Sequence, residues 1–179
     1  MFIYKLLWVY MTYMNVDVIG KADRTLAESV KKLGFDHVFC FDGDSIYDIE
    51  DKIPFKLKVY TGKDYSFIIN KGRADVVADM DKHAFILNKG LCSKLKENKM
   101  FVVFKLKSLV ETDQFYKVYK NFLINSRLCN DYSVPSLFIS SASSIDDMKS
   151  PMQLEAFAEH FGYGYKNYKK SVETLVSVK

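Results

Sequence analysis

Apolar residues along the chain fall into two alternating patterns. Short, nearly continuous apolar runs occur at Val16–Ile19, His37–Phe41, Leu57–Thr61, Ser66–Asn70, Ala74–Ala78, Phe101–Leu106 and Leu137–Ser141, with a weaker one at Ala84–Leu87. Runs of this kind predict parallel strands buried on both faces. Between several of them lie stretches of helical period. In "ADRTLAESVKKLG" the residues Ala22, Leu26, Val30 and Leu33 share one face, and Gly34 supplies the stop. In "DQFYKVYKNFLINSRLCNDY" the stripe is Phe115, Tyr119, Phe122, Ser126 and Cys129; in the tail it is Tyr165, Tyr168, Val172 and Leu175. Stripes at this spacing are core faces before they are anything else.

The alternation predicts an α/β fold. It reads as a compact, incomplete (β/α) TIM-like barrel of seven or eight mostly parallel strands. A full barrel needs roughly 250 residues, or about 200 at the low end, and this chain has 179. The stretch from Tyr60 to Asp79 reads as two strands with no room for a helix between them, so some outer helices are expected to be missing. No linker, repeat or low-complexity tract divides the chain. Residues 15–179 are expected to form one domain, preceded by an apolar extension or alternative start at 1–14, where Met11 and Met14 are further start positions. That extension is too short to span a bilayer.

Composition adds little that is specific. A hydrophobic fraction of 49% and an aromatic fraction of 15% exclude a disordered chain. The net charge of +4 permits a nucleic-acid partner without requiring one. The basic residues are mostly lysines, densest from Lys52 to Lys107, and serve equally as phosphate contacts or as a solvated surface. Cys40, Cys92 and Cys129 are odd in number and form no C-x-x-C pair. They are expected to be reduced core thiols in a cytoplasmic protein.

Catalytic patterns are lacking. His37, His83 and His160 share no metal-ligand spacing, and there is no phosphate-binding glycine loop, dinucleotide fingerprint or nucleophile elbow. Asp42 and Asp44 in "FDGDS" follow a strand, where barrels place catalysis, but "DGD" is ordinary turn chemistry. No catalytic or metal-ligating residue is assigned. The serine-rich loop "SSASSIDDMKS" follows the last strand. Its final residue, Ser150, with Pro151 at the first helical position and Gln153 three residues on, forms a capping-box pattern. Leu154, Phe157, Ala158 and Phe161 form the stripe of that helix, and Gly162 ends it. The upstream serines have no histidine or lysine base placed to activate them.

The order of these last features carries a resemblance. A helix with Phe122 and Asn125, then "VP", an apolar strand ending "ISS", a polar loop, "SP" and a Leu/Phe helix resembles the C-terminal region of archaeal ribonuclease P protein component 3. Upstream, "LKVYTG", "ADVVAD", "NKGLCSKLKEN" with "MFVVFKLKSLV", and "GKADRTLAESVKKLGFDHVFCF" are similar to that family in more diffuse form. The likeness runs from Val16 and is most specific from Lys89 to Gly162. The chain looks like a short, divergent member. Where the family has a basic Gly-Arg-Lys-Asp-Ser-Gly turn, this chain has Phe85-Ile-Leu-Asn-Lys-Gly90; where it has Arg-Asp after "SP", this chain has Met152 and Gln153.

The resemblance implies a barrel related to the PHP phosphoesterases but lacking their metal-binding histidines. It implies a non-catalytic subunit of ribonuclease P, whose RNA, with its own Mg2+, removes the 5′ leader from precursor tRNA. The protein itself would hold no cofactor. Its partners would be the RNase P RNA, a small ferredoxin-like RNase P subunit in a heterotetramer, other RNase P proteins and, indirectly, precursor tRNA, with no membrane. RNA contact is expected at Lys89, Lys94, Lys96 and Lys99, then Lys63, Lys71 and Arg73, with hydroxyls from Ser140, Ser141 and Ser143. Helix-surface lysines and a self-capped loop are the plain alternatives. The alternative function is a PHP-like metal-dependent phosphoesterase drawing Asp17, Asp42, Asp44 and His83 together. A generic α/β interaction module is the third reading.

Overall fold

The computed structural model describes residues 16–19, 24–42, 45–48 and 56–177. The proposed N-terminal extension, Ala22 and Asp44 lie outside them. Among the described residues, seven strands form one sheet in sequential order. They are β1 (Val16–Ile19), β2 (His37–Asp42), β3 (Ser45–Asp48), β4 (Lys56–Tyr60), β5 (Val76–Ala78), β6 (Phe101–Lys105) and β7 (Ser136–Ile139). β1 pairs parallel with β2, and β4 through β7 pair parallel in turn. β3 runs antiparallel to both of its neighbours. Six of the seven strands therefore point the same way, and their C-terminal ends share one rim.

The helices are α1 (Arg24–Lys32), α2 (Tyr65–Lys71), α3 (Lys89–Glu97), α4 (Lys107–Val110), α5 (Phe115–Tyr132), α6 (Pro151–His160) and α7 (Tyr165–Ser177). α1, α2, α3 and the α4–α5 pair are crossovers between parallel strands, as parallel pairing requires. β5, β6 and β7 are buried along their whole length, which is why they read as unbroken apolar runs. Phe104, Phe122, Phe138 and Phe161 form an aromatic centre, with ring centroids 4.4–4.9 Å apart for Phe104–Phe122, Phe104–Phe138 and Phe122–Phe161. Cys40, Cys92 and Cys129 are buried and take part in no disulfide among the described residues. Among the described residues no helix is long and apolar enough to cross a membrane.

Several expectations are corrected. Ser66–Asn70 is not a strand: it lies within α2, started by Asp64, whose carboxylate accepts from Phe67 N–H at 3.2 Å. The helix stops at Gly72, which sits in the left-handed region at φ 56°. The crossover between Thr61 and Ala74 therefore keeps its helix. Ala84–Leu87 forms no strand either. β3 is a strand that the apolar pattern does not announce; its antiparallel pairing with β2 runs down to Asp42–Ser45. Leu33 is exposed, since α1 ends before it. Phe115 and Tyr165 are also exposed. α5 instead buries Val118, Asn121, Phe122, Asn125, Ser126 and Cys129.

The two ends of the sheet meet through the Asp17 side chain and one backbone bond. Ser140, just after β7, donates its N–H at 2.9 Å and its hydroxyl at 2.5 Å to the Asp17 carboxylate in β1. Ser141 N–H donates to Val18 C=O at 3.1 Å. No strand ladder joins β1 to β7 among the described residues, so closure of the sheet into a barrel is not part of the architecture as paired.

Candidate functional site

Helices that connect parallel strands begin at the strands' C-terminal ends and finish at the opposite end. That rule divides the ten positions expected to face RNA. Lys63 lies in the β4–α2 connection and Lys89 opens α3, so both stand at the C-terminal rim with Ser140, Ser141 and Ser143. Lys71, Arg73, Lys96 and Lys99 lie at the other end. There the C-termini of α2 and α3 meet, with Asn98 Nδ2 donating to Ile69 C=O at 2.7 Å. Lys96 borders a small polar hollow of about 180 Å³ that also touches Asn167 and Lys170. Lys94 lies between the two ends and pairs with Glu97 at 2.7 Å. The ten positions therefore do not form one surface.

The serines differ in kind. Ser140 is 2% exposed and its hydroxyl is engaged by Asp17, so it holds the sheet ends together. Ser143 is exposed and its N–H and hydroxyl both donate to Asp147, at 3.3 and 3.2 Å. Lys107 bonds to the Ser143 hydroxyl and pairs with Asp147 at 3.2 Å and Glu111 at 3.3 Å. The Ser143 N–H and then the Lys107 ammonium hold the Asp147 carboxyl down to about 2. The self-capped loop is thus what forms. Ser150 and Gln153 make the reciprocal capping box that opens α6. A cleft of about 220 Å³ beside this loop is walled by Leu106, Leu109, Val110 and Phe157.

Of the residues expected to serve a phosphoesterase, Asp17 and His83 are engaged by other partners. Asp17 is buried and accepts from Val18 N–H at 2.8 Å as well as from Ser140. Burial pushes its carboxyl above the usual carboxylate range despite those bonds. His83 is exposed, with Nε2 3.1 Å from Thr61 C=O. Asp42 closes β2, and Asp44 lies outside the described residues. His160 lies on the exposed side of α6, 2.9 Å from the Tyr119 hydroxyl. Among the described residues no group of three or more His, Cys, Asp or Glu is placed to hold a metal ion.

One charged group at the C-terminal rim was missed from sequence. Lys105, the last residue of β6, pairs with Asp79 at the end of β5 at 3.1 Å, both largely buried. Lys82 approaches the other Asp79 oxygen at 3.7 Å. Asp81 is 3% exposed, and its Oδ2 has no hydrogen-bond partner. Burial, and then the neighbouring Asp79 charge, push the Asp81 carboxyl up to about 6. The Lys105 ammonium is driven below its ordinary value by burial, which Asp79 only partly offsets. The signal was present as a lysine inside the apolar run "FVVFKL" and acids at both ends of "DMD". Asn121 was likewise hidden in α5, while Asn125 was marked by the resemblance alone. Asn125 accepts from Leu87 N–H and donates to Phe85 C=O, both at 2.8 Å, and Asn121 donates to Asp81 C=O at 3.3 Å.

No protein-family model matches this chain, and no curated protein matches it.

Proposed function

We propose that the chain is a non-catalytic protein subunit of ribonuclease P that supports the catalytic RNA in removing the 5′ leader of precursor tRNA. The support is the motif order from Phe122 through "VP", "ISS" and "SP" to Phe161, together with what its members do in the fold. Val134 packs in the core, Asn125 pins the 85–87 segment, Ser140 clasps β1, and Ser150 caps α6. On this reading the sheet is a barrel of the PHP-like kind, drawn shut at the Asp17–Ser140 contact.

The observation that carries the choice against a phosphoesterase is the state of Asp17. That carboxylate already accepts three hydrogen bonds inside the protein, two from Ser140 and one from Val18. A group so engaged serves shape before chemistry. The catalyst in this proposal is the RNA with its own Mg2+, and the partners are that RNA, a small ferredoxin-like subunit and other RNase P proteins in the cytoplasm. Affinity purification of the tagged chain from its native cell tests this reading. Enrichment of RNase P RNA in the eluate is expected; an eluate without it overturns the proposal.

A further inference from the structure

Residues 79–88 cross the C-terminal rim between β5 and α3 as a strap. The β5–β6 ladder ends at Ala78–Val103, and the strap closes at Asn88, whose side chain caps α3. Within it, Ala84 N–H donates to Asp81 C=O at 3.2 Å and Phe85 N–H to Met80 C=O at 2.9 Å. Two of its residues lie in the left-handed region without being glycine, Asp79 at φ 59° and Ala84 at φ 55°. That conformation is unfavourable for a residue with a Cβ and persists only where the surroundings hold it.

A few neutral contacts hold the strap down. Asn125 takes Leu87 N–H and gives to Phe85 C=O, both at 2.8 Å, and Asn121 gives to Asp81 C=O at 3.3 Å. His83 Nε2 lies 3.1 Å from Thr61 C=O, and the Phe85 ring packs 4.9 Å from that of Tyr65. Met80 and Leu87 are buried beneath. No strand ladder is among these contacts, so the strap can part from the rim while the sheet stays paired. Segments joined this way open at lower free energy than the core.

Asp81 works against closure. It is 3% exposed, and its Oδ2 has no hydrogen-bond partner. The groups facing it are Asp79 at the end of β5, Lys105 from β6, Lys82 on the strap and Tyr65 from α2; α5 brings only the neutral Asn121. Both lysines lie against Asp79, at 3.1 and 3.7 Å, and the Tyr65 hydroxyl donates to Ala78 C=O at 2.7 Å. An ionised oxygen buried without a donor is costly, and a protonated carboxyl far less so. Burial, and then the Asp79 charge, accordingly push this carboxyl up to about 6.

We infer that the 79–88 strap is a proton-controlled clasp, shut while Asp81 is neutral and released from the rim, with Lys82 and His83, when Asp81 ionises. The inference goes beyond the RNA reading and does not depend on it. The closed strap binds the Asp81 proton more tightly than the open one, where the carboxyl regains its ordinary value of 3.8. Closure is therefore strongest below that value and weakens as pH rises through about 6. Between pH 5 and 7 the opening constant is expected to rise roughly 10-fold.

Amide hydrogen exchange on the intact protein, corrected for intrinsic rates, tests the clasp. The Phe85 and Leu87 amides are expected to exchange faster than those of Val102 and Phe104 in β6, through an opening that low urea does not affect, and roughly 10-fold more readily at pH 7 than at pH 5. Asp81→Asn is expected to abolish that pH response. Histidines change charge in the same range, so His83→Gln is the control and is expected to keep it. The carboxyl carbon shift of Asp81 titrates the group in the parent without any variant, and a midpoint near 6 is expected. A flat parent profile, a response that survives Asp81→Asn, or a midpoint near the ordinary 3.8 overturns the inference. Exchange of Phe85 and Leu87 as slow and as urea-dependent as that of β6 also overturns it, because the strap then opens only with the whole molecule.

Discussion

Asp81 shows how far a single side chain can depart from what its neighbours in sequence suggest. It sits in a polar-looking "DMDKH" stretch, yet it is buried at the end of β5 with one carboxylate oxygen unpartnered. With the folded carboxyl pushed up to about 6 from 3.8, the folded state holds the proton more tightly than the unfolded chain. Stability from this group is therefore complete below the unfolded value and is lost as pH rises through about 6. The loss is roughly 2–3 kcal/mol between pH 4 and 7. Asp81→Asn removes this contribution, so the variant should gain on the parent by about that amount at pH 7 relative to pH 4. Urea unfolding at both pH values reads the difference; parallel curves for parent and variant would show that Asp81 is ionised without cost. The neighbouring Asp79–Lys105 pair follows a different logic, because each charge there has its partner.

At the scale of elements, periodicity succeeded where burial was one-sided or complete. β6, β7, α6 and the Ser150 capping box were legible because apolar spacing and capping residues agreed. α2 was misread because "YSFIIN" has strand-like content, although its start and stop were written in Asp64 and Gly72. The buried asparagines of α5 had no signal in composition, since their role depends on a segment about 40 positions earlier in the chain. Asn125 links α5 to the chain between β5 and α3. Asn125→Ala leaves the Leu87 N–H without its acceptor in the interior, at a cost of about 1–3 kcal/mol. Chemical denaturation should show that loss, and amide exchange should quicken at Leu87 before the rest of the core. Unchanged protection at Leu87 would mean that the asparagine is not what holds the segment.

On the scale of the whole molecule, the α/β class and the mostly parallel sheet were legible in the alternation of runs, while closure was not. The Asp17–Ser140 contact joins residues 123 positions apart, which no local pattern encodes. The same distance hides sites: the rim gathers Asp79, Asp81, Lys105 and Ser108 from separate crossovers, and only the topology shows that they share an end. It also divides the lysines that a linear reading groups together. A scaffold with two charged ends and an exposed aromatic rim suits a subunit that touches RNA and protein at once, and its proposed task needs no catalytic geometry. The direct measurement is precursor-tRNA cleavage reconstituted from the cognate RNase P RNA and the ferredoxin-like partner, at magnesium low enough that the RNA alone is nearly idle. Adding this chain is predicted to raise the cleavage rate about 10-fold or more, a barrier reduction of about 1.4 kcal/mol or greater. An unchanged rate with the folded protein present would contradict the account.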